Sequence, residues 1–127
     1  MENWKELYNE RLCTAEEAVN LIKSGDHVVF SHCAAEPTVL IDAMIANAAA
    51  YRDVTVHHMQ TLGPGKYAQP EYKDHFHFDG WFLSPSTRKC VADGYGDVTV
   101  NHYYQATEFF EDGTYRDDVM LVMVSPP

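Results

Sequence analysis

Short apolar runs rich in β-branched residues recur along the chain, separated by longer stretches in which apolar positions have helical spacing. The runs have the length and composition of β-strands. They predict five strands, at residues 27–30 (HVVF), 54–59 (VTVHHM), 80–83 (GWFL), 98–104 (VTVNHYY) and 119–124 (VMLVMV). The last run is apolar without interruption, which is typical of a central strand buried on both faces.

The stretches between these runs carry helix signals. Asn3 is a possible N-cap, with Glu6 three positions on, for a first helix at residues 3–12. A second helix begins with Thr14 and Glu17 in the spacing of a capping box and is predicted to end at Gly25. Three further helices are predicted, at residues 37–50, 86–93 and 105–112.

Strands that alternate with helices indicate right-handed crossovers and therefore an α/β fold with an open, mostly parallel sheet and flanking helices. The first two helices precede this sheet, and we expect the pair to cover one of its faces or edges. Residues 1–127 have the size of a single domain. Because ligand loops usually follow a central parallel strand, we expect the chain to be a fragment of a longer protein.

Composition narrows the classes of partner. The chain is 46% apolar and 13% aromatic, as in an ordered globular domain. Its formal net charge of −10 disfavours nucleic acid and anionic membrane surfaces. The cysteines, Cys13, Cys33 and Cys90, are odd in number and widely spaced, which favours reduced thiols in a cytoplasmic protein. The sequence shows no export signal and no apolar run long enough to cross a membrane.

The end of the first predicted strand is a candidate ligand site. Ser31, His32, Cys33, Ala34 and Ala35 follow the strand directly, and Glu36-Pro37 opens a helix. Ligands of open parallel sheets bind at the carboxyl ends of the strands, where helix N-termini supply free N–H groups and a partial positive charge. Such a corner suits a carboxylate, a thioester or a phosphate.

Polar residues also follow the other strands. Gln60 and Thr61 lead into Gly63-Pro64-Gly65, and LSPSTRKC places Ser84, Ser86, Thr87 and Arg88 before a helix. Asn101, His102 and Gln105 lie between the fourth strand and its helix. If the sheet is parallel, we expect these strand ends to line a single crevice.

Simpler interpretations exist for several of these residues. Ser86 and Thr87 are ordinary helix caps when taken alone, and Glu36 would favour the start of the following helix by its charge. The glycines at 63 and 65 lack the Lys-Ser or Lys-Thr that a P-loop requires. Glu108 falls inside a predicted helix, and neither glutamate is assigned as catalytic.

Two other chemistries are weaker hypotheses. His75 and His77 would point to one side of an extended segment, and a few further residues could add metal ligands, namely His32, Cys33, His57 and His58. The spacing matches no common zinc pattern, and no metal is predicted. His32 and Cys33 suggest a base and a nucleophile, but neighbours on an extended chain point in opposite directions.

Four segments of the chain are informative together: WKELYNERLCTAEEAVNLIKSGDHVVFSHCAAEPTVLIDAM, LGPGKY, STRKCVADG and VMLVMVSPP. In order and spacing they resemble the N-terminal half of the acetyl-CoA hydrolase/transferase family. The resemblance covers essentially the whole chain and is strongest for the 4-hydroxybutyrate and butyryl-CoA:acetate CoA-transferases. It implies two similar α/β domains with the active site between them, and a glutamate in the second domain that carries CoA as a thioester. That glutamate and the glycine-rich CoA loop would lie outside this chain.

The resemblance implies that this half shapes the acyl and carboxylate side of the cleft, with coenzyme A as co-substrate and no bound cofactor. The expected substrate-binding residues are Ser31, His32, Cys33, Ala34, Glu36, Gln60, Thr61, Ser86, Thr87 and Arg88. Ser31 and Ala35 replace glycines that are frequent in the family, and Ser84-Pro85 replaces a glycine pair, so the loop conformation and the acyl preference are left open.

Short-chain acyl-CoA, a short-chain carboxylate, the absent second domain and a second copy of the chain are the expected partners. One rival function is a sugar-phosphate isomerase, but Arg88 alone is poor evidence for a phosphate site. Another is a non-catalytic module that binds a small carboxylate or acyl-CoA. The chain by itself is expected to lack transferase activity, because the nucleophile must be held against the thioester.

Overall fold

A computed structural model describes residues 3–126; residues 1, 2 and 127, at the bounds of the predicted domain, lie outside the described part. It contains one five-stranded sheet in the order β4-β3-β2-β1-β5, and all four strand pairs are parallel. The strands are β1 (His27–Phe30), β2 (Val54–His58), β3 (Phe76–Gly80), β4 (Gly96–Val98) and β5 (Val119–Leu121). The predicted α/β fold with a parallel sheet is confirmed.

Within the described residues, five α-helices connect or precede these strands. They are α1 (Trp4–Arg11), α2 (Ala15–Val19), α3 (Thr38–Ala46), α4 (Arg88–Ala92) and α5 (Gln105–Glu111). Pro37 is the N-cap of α3, and a separate 3₁₀ turn, Ala48–Ala50, follows that helix. All five helices were predicted from the sequence, and each is shorter than its predicted range.

The second helix begins as its sequence predicts and ends early. Thr14 Oγ1 accepts a hydrogen bond from the Glu17 N–H, and the Glu17 carboxylate accepts one from the Thr14 N–H, which completes the capping box. The helix does not continue to Gly25 but ends at Val19, whose carbonyl oxygen accepts bonds from the Tyr51 hydroxyl and the Ile22 N–H. A tertiary contact thus occupies the carbonyl at the end of the helix.

The two N-terminal helices differ in how they pack. Val19 of α2 is buried in the main core. Helix α1 contributes no buried residue. Contrary to the prediction, it therefore does not cover the sheet within residues 3–126. Asn3 precedes α1 but makes no side-chain capping bond.

The main core lies between one face of the sheet and helices α2, α3 and α4. Strand residues at alternating positions enter it because successive side chains of a strand point to opposite faces. The strand positions in this cluster are Val28, Phe30, Val54, Val56, Phe76, Phe78 and Leu121, and the helices add Val19, Ile41, Ala43, Met44, Ile45 and Cys90.

The opposite face of the sheet carries a smaller aromatic cluster next to α5. Tyr115 packs edge-on against His57 with ring centroids 4.5 Å apart, and Trp81 packs against both Tyr115 and Phe110 of α5. His57 also lies with Nδ1 3.3 Å from a carboxylate oxygen of Asp79, its neighbour on β3. This face is therefore partly polar, unlike the main core.

The positions of two predicted strands were wrong. The third strand is not at residues 80–83 but at Phe76–Gly80, where phenylalanines that enter the core alternate with His77 and Asp79. The fourth strand covers Gly96–Val98 instead of residues 98–104, because β3 ends at Gly80 and offers no partner beyond the bond from the Thr99 N–H to the Gly80 carbonyl.

The last strand was predicted to be central, and the structure corrects this. Strand β5 pairs only with β1 and lies at one edge of the described sheet. It ends at Leu121, opposite Phe30, because β1 then turns into the loop that precedes α3. Met120 is 55% exposed and Val124 is 78% exposed, so an uninterrupted apolar run did not indicate burial on both faces.

No helix within residues 3–126 has both the length and the apolar character needed to span a bilayer.

Candidate functional site

The loop that leaves β1 forms a tight corner at the carboxyl end of the sheet. Ser31 donates its hydroxyl hydrogen bond to the Ala35 carbonyl, and the Ser31 N–H donates to Leu121 of the neighbouring strand. Cys33–Ala35 form a 3₁₀ turn in which Cys33 has φ +56°, a left-handed conformation that is uncommon for a residue with a side chain. The side chain of Ala34 is exposed, and that of His32 is half-buried.

This corner is hydrogen-bonded to the loop that leaves β2. The Cys33 N–H donates to the Gln60 carbonyl at 2.9 Å, and Cys33 Sγ lies 3.5 Å from Gln60 Oε1. The Glu36 carboxylate, which is buried, accepts bonds from Thr61 Oγ1 and from the N–H groups of Leu62 and Gly63. The charge of Glu36 suggested a role at the start of α3. Its carboxylate instead binds the β2 loop.

The loop after β3 is joined to the same β2 loop. Ser84 Oγ donates to the Thr61 carbonyl at 2.7 Å, and Ser86 Oγ donates to the Gly63 carbonyl at 3.2 Å. Thr87 Oγ1 is hydrogen-bonded to the backbone of Ser84, and the Thr87 side chain is buried. Thr87 is the N-cap residue of α4, as the capping interpretation predicts, but its side chain makes no capping bond. The Ser86 hydroxyl binds the Gly63 carbonyl instead.

Three strand ends line one cavity of about 270 Å³ at this edge of the sheet. Its walls come from the ends of β2, β3 and β4. The lining residues are Met59, Gln60, Trp81, Phe82, Asn101 and Tyr103. The cavity thus combines apolar and aromatic walls with two side-chain amides, a composition that is typical of small-ligand sites.

The predicted site residues divide into three groups. Glu36, Thr61 and Thr87 are buried, and their polar side-chain atoms are hydrogen-bonded to neighbouring loops. Gln60 lines the cavity directly, as does Asn101, which was considered with the strand ends. The remaining predicted residues lie around the corner or at the start of α4, and are Ser31, His32, Cys33, Ala34, Ser86 and Arg88.

Arg88, His102 and Gln105 lie outside the cavity lining. Arg88 is exposed at the start of α4, and its Nε donates to the Leu83 carbonyl at 3.3 Å. Gln105 accepts a bond from the His102 N–H through Oε1, which organises the first turn of α5. None of these three residues is in the cavity wall.

Beneath the corner lies a buried histidine and tyrosine pair. His58 Nδ1 is 2.7 Å from the Tyr67 hydroxyl, and both side chains are fully buried. Burial lowers the pKa of His58 to about 4, although the nearby Glu36 carboxylate acts in the opposite direction. Burial also raises the pKa of Tyr67, so the phenol remains protonated and can donate to the neutral imidazole.

The aromatic wall of the cavity is supported from the second face of the sheet. Trp81 stacks near the His57 ring, with centroids 6.3 Å apart. Asp79 accepts a bond from Thr99 Oγ1. Burial of Asp79 would raise its pKa, but interactions with His57 and Thr99 outweigh burial and lower it. The carboxylate is therefore held in its charged form behind the cavity.

The metal hypothesis concerned histidines that now have other partners. His75 Nδ1 lies 2.9 Å from the Tyr51 carbonyl oxygen, and His77 pairs with Asp97. Among the residues that the structure describes, no group of three or more His, Cys, Asp or Glu side chains is arranged to hold a metal ion.

Sequence reasoning missed most of the aromatic cavity wall. Trp81 and Phe82 were placed inside a predicted strand, and Tyr103 was placed inside another. The alternation in HFHFDG could have located β3 correctly, because Phe76 and Phe78 are buried while His77 and Asp79 face the other side. Trp81 and Phe82 would then have been recognised as the first residues after the strand.

Comparison with known protein families identifies the domain. The N-terminal domain of the acetyl-CoA hydrolase/transferase family matches residues 1–127, the whole chain. The chain belongs to this family. The resemblance drawn from the sequence motifs is therefore confirmed.

Relatives of this acetyl-CoA hydrolase/transferase domain include two curated CoA-transferases. The 4-hydroxybutyrate coenzyme A transferase of Clostridium kluyveri is 35% identical over 124 residues, which cover 98% of this chain and 29% of that protein. The butyryl-CoA:acetate CoA-transferase of Anaerostipes caccae is 24% identical over 125 residues, covering 98% of this chain and 28% of that protein.

Solved structures in the comparison have the same fold. The 4-hydroxybutyrate CoA-transferase from Porphyromonas gingivalis matches with a TM-score of 0.76 and 32% identity, over 98% of this chain and 27% of that one. RipA from Yersinia pestis matches with a TM-score of 0.88 over 98% of this chain and 31% of that one. At 24% identity the similarity to RipA shows the fold alone. The family domain described here spans less than a third of the length of these proteins.

Proposed function

We propose that the full-length protein containing this chain is a CoA-transferase that moves CoA between a short-chain acyl-CoA and a carboxylate such as acetate. The observation that carries the proposal is the cavity at the ends of β2, β3 and β4 in a domain of this family. The 35% identity to a 4-hydroxybutyrate coenzyme A transferase supports 4-hydroxybutyryl-CoA as the donor, and the 24% identity to a butyryl-CoA:acetate CoA-transferase supports butyryl-CoA.

The cavity supports a small acyl group in particular. At about 270 Å³, it lies just below the range of about 300–1,000 Å³ that is usual for sites of drug-sized ligands. Met59, Trp81 and Phe82 offer apolar surface for the acyl chain. Gln60 and Asn101 offer amides that can hydrogen-bond a terminal hydroxyl or the incoming carboxylate.

The nucleophile is proposed to lie in a second domain outside this chain. In this proposal a glutamate of that domain attacks the acyl-CoA carbonyl, which forms a mixed anhydride and releases CoA as the thiolate. The thiolate then attacks the glutamyl carbonyl, which forms the glutamyl-CoA thioester and releases the acyl group as its carboxylate. The incoming carboxylate takes CoA from this thioester by the same two steps in reverse. Since this chain corresponds to 28–29% of the curated relatives quoted above, there is room in proteins of that length for such a domain. The residues described here would then shape the acyl and carboxylate side of the shared cleft.

The corner residues remain proposed contacts at this cleft. His32, Cys33 and Ala34 lie on the rim and are half-buried or exposed, so a ligand could reach them. Arg88 is exposed and would act at most as a nearby positive charge. The buried residues Glu36, Thr61 and Thr87 are less accessible and support the loops instead.

The test uses the full-length protein with butyryl-CoA or 4-hydroxybutyryl-CoA and acetate. Formation of acetyl-CoA, followed by mass spectrometry, is the expected result, and release of free CoA without acetate dependence would indicate hydrolysis instead. The 127-residue chain alone is the matched control and should show no transfer. Tight binding of acyl-CoA by the full-length protein without any turnover would contradict the proposal and favour a non-catalytic binding module.

A further inference from the structure

Three hydrogen-bond donors of the β2 loop converge on the buried carboxylate of Glu36. Thr61 Oγ1 lies 2.8 and 2.9 Å from the two carboxylate oxygens. The N–H groups of Leu62 and Gly63 donate to Oε2 at 2.9 and 3.1 Å. Within residues 3–126 no Lys, Arg or His side chain forms an ion pair with Glu36. The carboxyl group therefore takes its side-chain hydrogen bonds from the donors of this loop.

The backbone of the loop also packs closely on Glu36. A Cβ atom added to Gly63 would lie 2.9 Å from Glu36 Oε1, which is closer than ordinary van der Waals contact allows. The glycine thus lets the chain approach the carboxylate. Glu36 determines the path of the β2 loop through both hydrogen bonds and contact.

The β1 corner holds this loop both at Gln60 and at the residues directly after it. The Cys33 N–H is bonded to the carbonyl of Gln60 itself, and Glu36 binds the three residues that follow it. The side chain of Gln60 lines the cavity. A shift in the corner would therefore move a residue of the cavity wall.

We propose that Glu36 is a positioning residue that fixes the loop after β2 and thereby the orientation of Gln60 in the cavity. Glu36 is not in the cavity lining and is buried, so it acts through Gln60 rather than on the substrate. This inference rests on the proposed function for its kinetic consequence. Its structural consequence, the restraint of residues 61–63, can be measured independently.

The experiment compares variants of the full-length protein by hydrogen exchange and by kinetics. Glu36→Ala should accelerate amide exchange in peptides that cover residues 60–63 by about tenfold or more, because the acceptor of two N–H groups is lost. The ratio of kcat/KM for butyryl-CoA to that for 4-hydroxybutyryl-CoA should change by about tenfold. A merely structural role would lower both activities by the same factor and leave this ratio unchanged.

Glu36→Gln is the conservative variant. Its carbonyl oxygen can still accept from the backbone N–H groups, and its amide can donate to the Thr61 hydroxyl. It should keep the donor ratio within about twofold of the parent protein. If Glu36→Gln shifts the ratio as far as Glu36→Ala, the hydrogen-bond acceptor geometry is not what matters and the inference is overturned. Glu16→Gln, at an exposed glutamate of α2, is the matched control and should change neither readout.

If Glu36→Ala does not fold, Thr61→Val takes its place. This variant keeps the branched shape of the side chain and replaces the hydroxyl with a methyl group, so a smaller change in the same direction is expected in both readouts. Unchanged exchange and an unchanged ratio in a folded variant would overturn the inference. Failure of the parent protein to transfer CoA would instead refute the proposed function, while the exchange measurement would still test the restraint by Glu36.

Discussion

The hydroxyl of Tyr67 lies 2.7 Å from Nδ1 of His58, in the protein interior beneath the corner that follows β1. Both side chains are fully buried, and Nε2 of His58 has no hydrogen-bond partner among the residues that the structure describes. Burial therefore favours the neutral imidazole at neutral pH. Protonation would place a charge in the core that the nearby Glu36 carboxylate offsets only in part.

This arrangement predicts a loss of stability in mild acid. The pKa of His58 falls from its ordinary value of 6.5 to about 4 on folding, chiefly through burial. Between these values the unfolded chain binds the proton more readily than the folded chain, so stability decreases as the pH falls. The total loss is on the order of 3 kcal/mol and levels off below the folded pKa.

Denaturant unfolding of the chain at several pH values between 4 and 7 measures this effect. His58→Gln should flatten the dependence, since an amide does not titrate but can still accept from the Tyr67 hydroxyl. His102→Gln makes the same change at an exposed histidine and should keep the parent slope. Equal slopes for the parent and His58→Gln would show that His58 does not cause the effect.

The three cysteines should differ in reactivity. Cys13 is exposed, Cys33 is half-buried, and Cys90 is buried with its thiol donating to the Thr87 carbonyl. Burial also raises the pKa of Cys90 to about 11, which further reduces its thiolate fraction at neutral pH. With a disulfide reagent at pH 7.5, Cys13 should react first, Cys33 more slowly and Cys90 only after unfolding.

Counting released thiols over time tests this order. Cys13→Ser should remove the fastest phase and leave the later ones unchanged. Rapid reaction of all three thiols in the folded protein would contradict the burial of Cys90.

Gly96 should not accept a larger residue. A Cβ atom there would lie 2.7 Å from Cys90 Sγ and 3.1 Å from the Phe78 carbonyl oxygen. Gly96→Ala should lower the free energy of unfolding by about 1–3 kcal/mol through overpacking between α4 and β4. Thermal or chemical denaturation measures the change.

A second variant identifies the atom responsible. In the double variant Gly96→Ala with Cys90→Ala the sulfur is absent, so the combined loss should be smaller than the sum of the single losses. Strict additivity would mean that the two residues do not interfere with each other as the structure indicates.

Tyr51 should stabilise the attachment of α2. Its hydroxyl donates to the Val19 carbonyl at 2.8 Å and accepts from Asn47 Nδ2 at 2.9 Å, and the side chain is buried. Tyr51→Phe leaves the Val19 carbonyl without this donor and should cost about 1–2 kcal/mol in the free energy of unfolding. Tyr8→Phe, at an exposed position of α1, should change stability by less than about 0.5 kcal/mol. Similar losses for the two variants would argue against a role for the Tyr51 hydroxyl.

The sequence by itself determined the features that depend on neighbouring residues. The capping box of Thr14 and Glu17 needs only residues three positions apart, and it forms as its pattern predicts. The parallel α/β class followed from the order of strands and helices, and β1 has the predicted bounds. The family was also evident from motifs that extend along the whole chain. All of these signals are local or are a matter of order along the chain.

Only the tertiary structure decided where strands end and what the polar strand ends do. A strand continues only while a neighbour offers hydrogen bonds, so β4 and β5 are shorter than their apolar runs. Glu36 lies next to a helix start in the sequence, yet its carboxylate binds Thr61, 25 positions away. A buried carboxyl group must be hydrogen-bonded, and its donors are the groups that the fold brings next to it. No local sequence pattern specifies which groups these are.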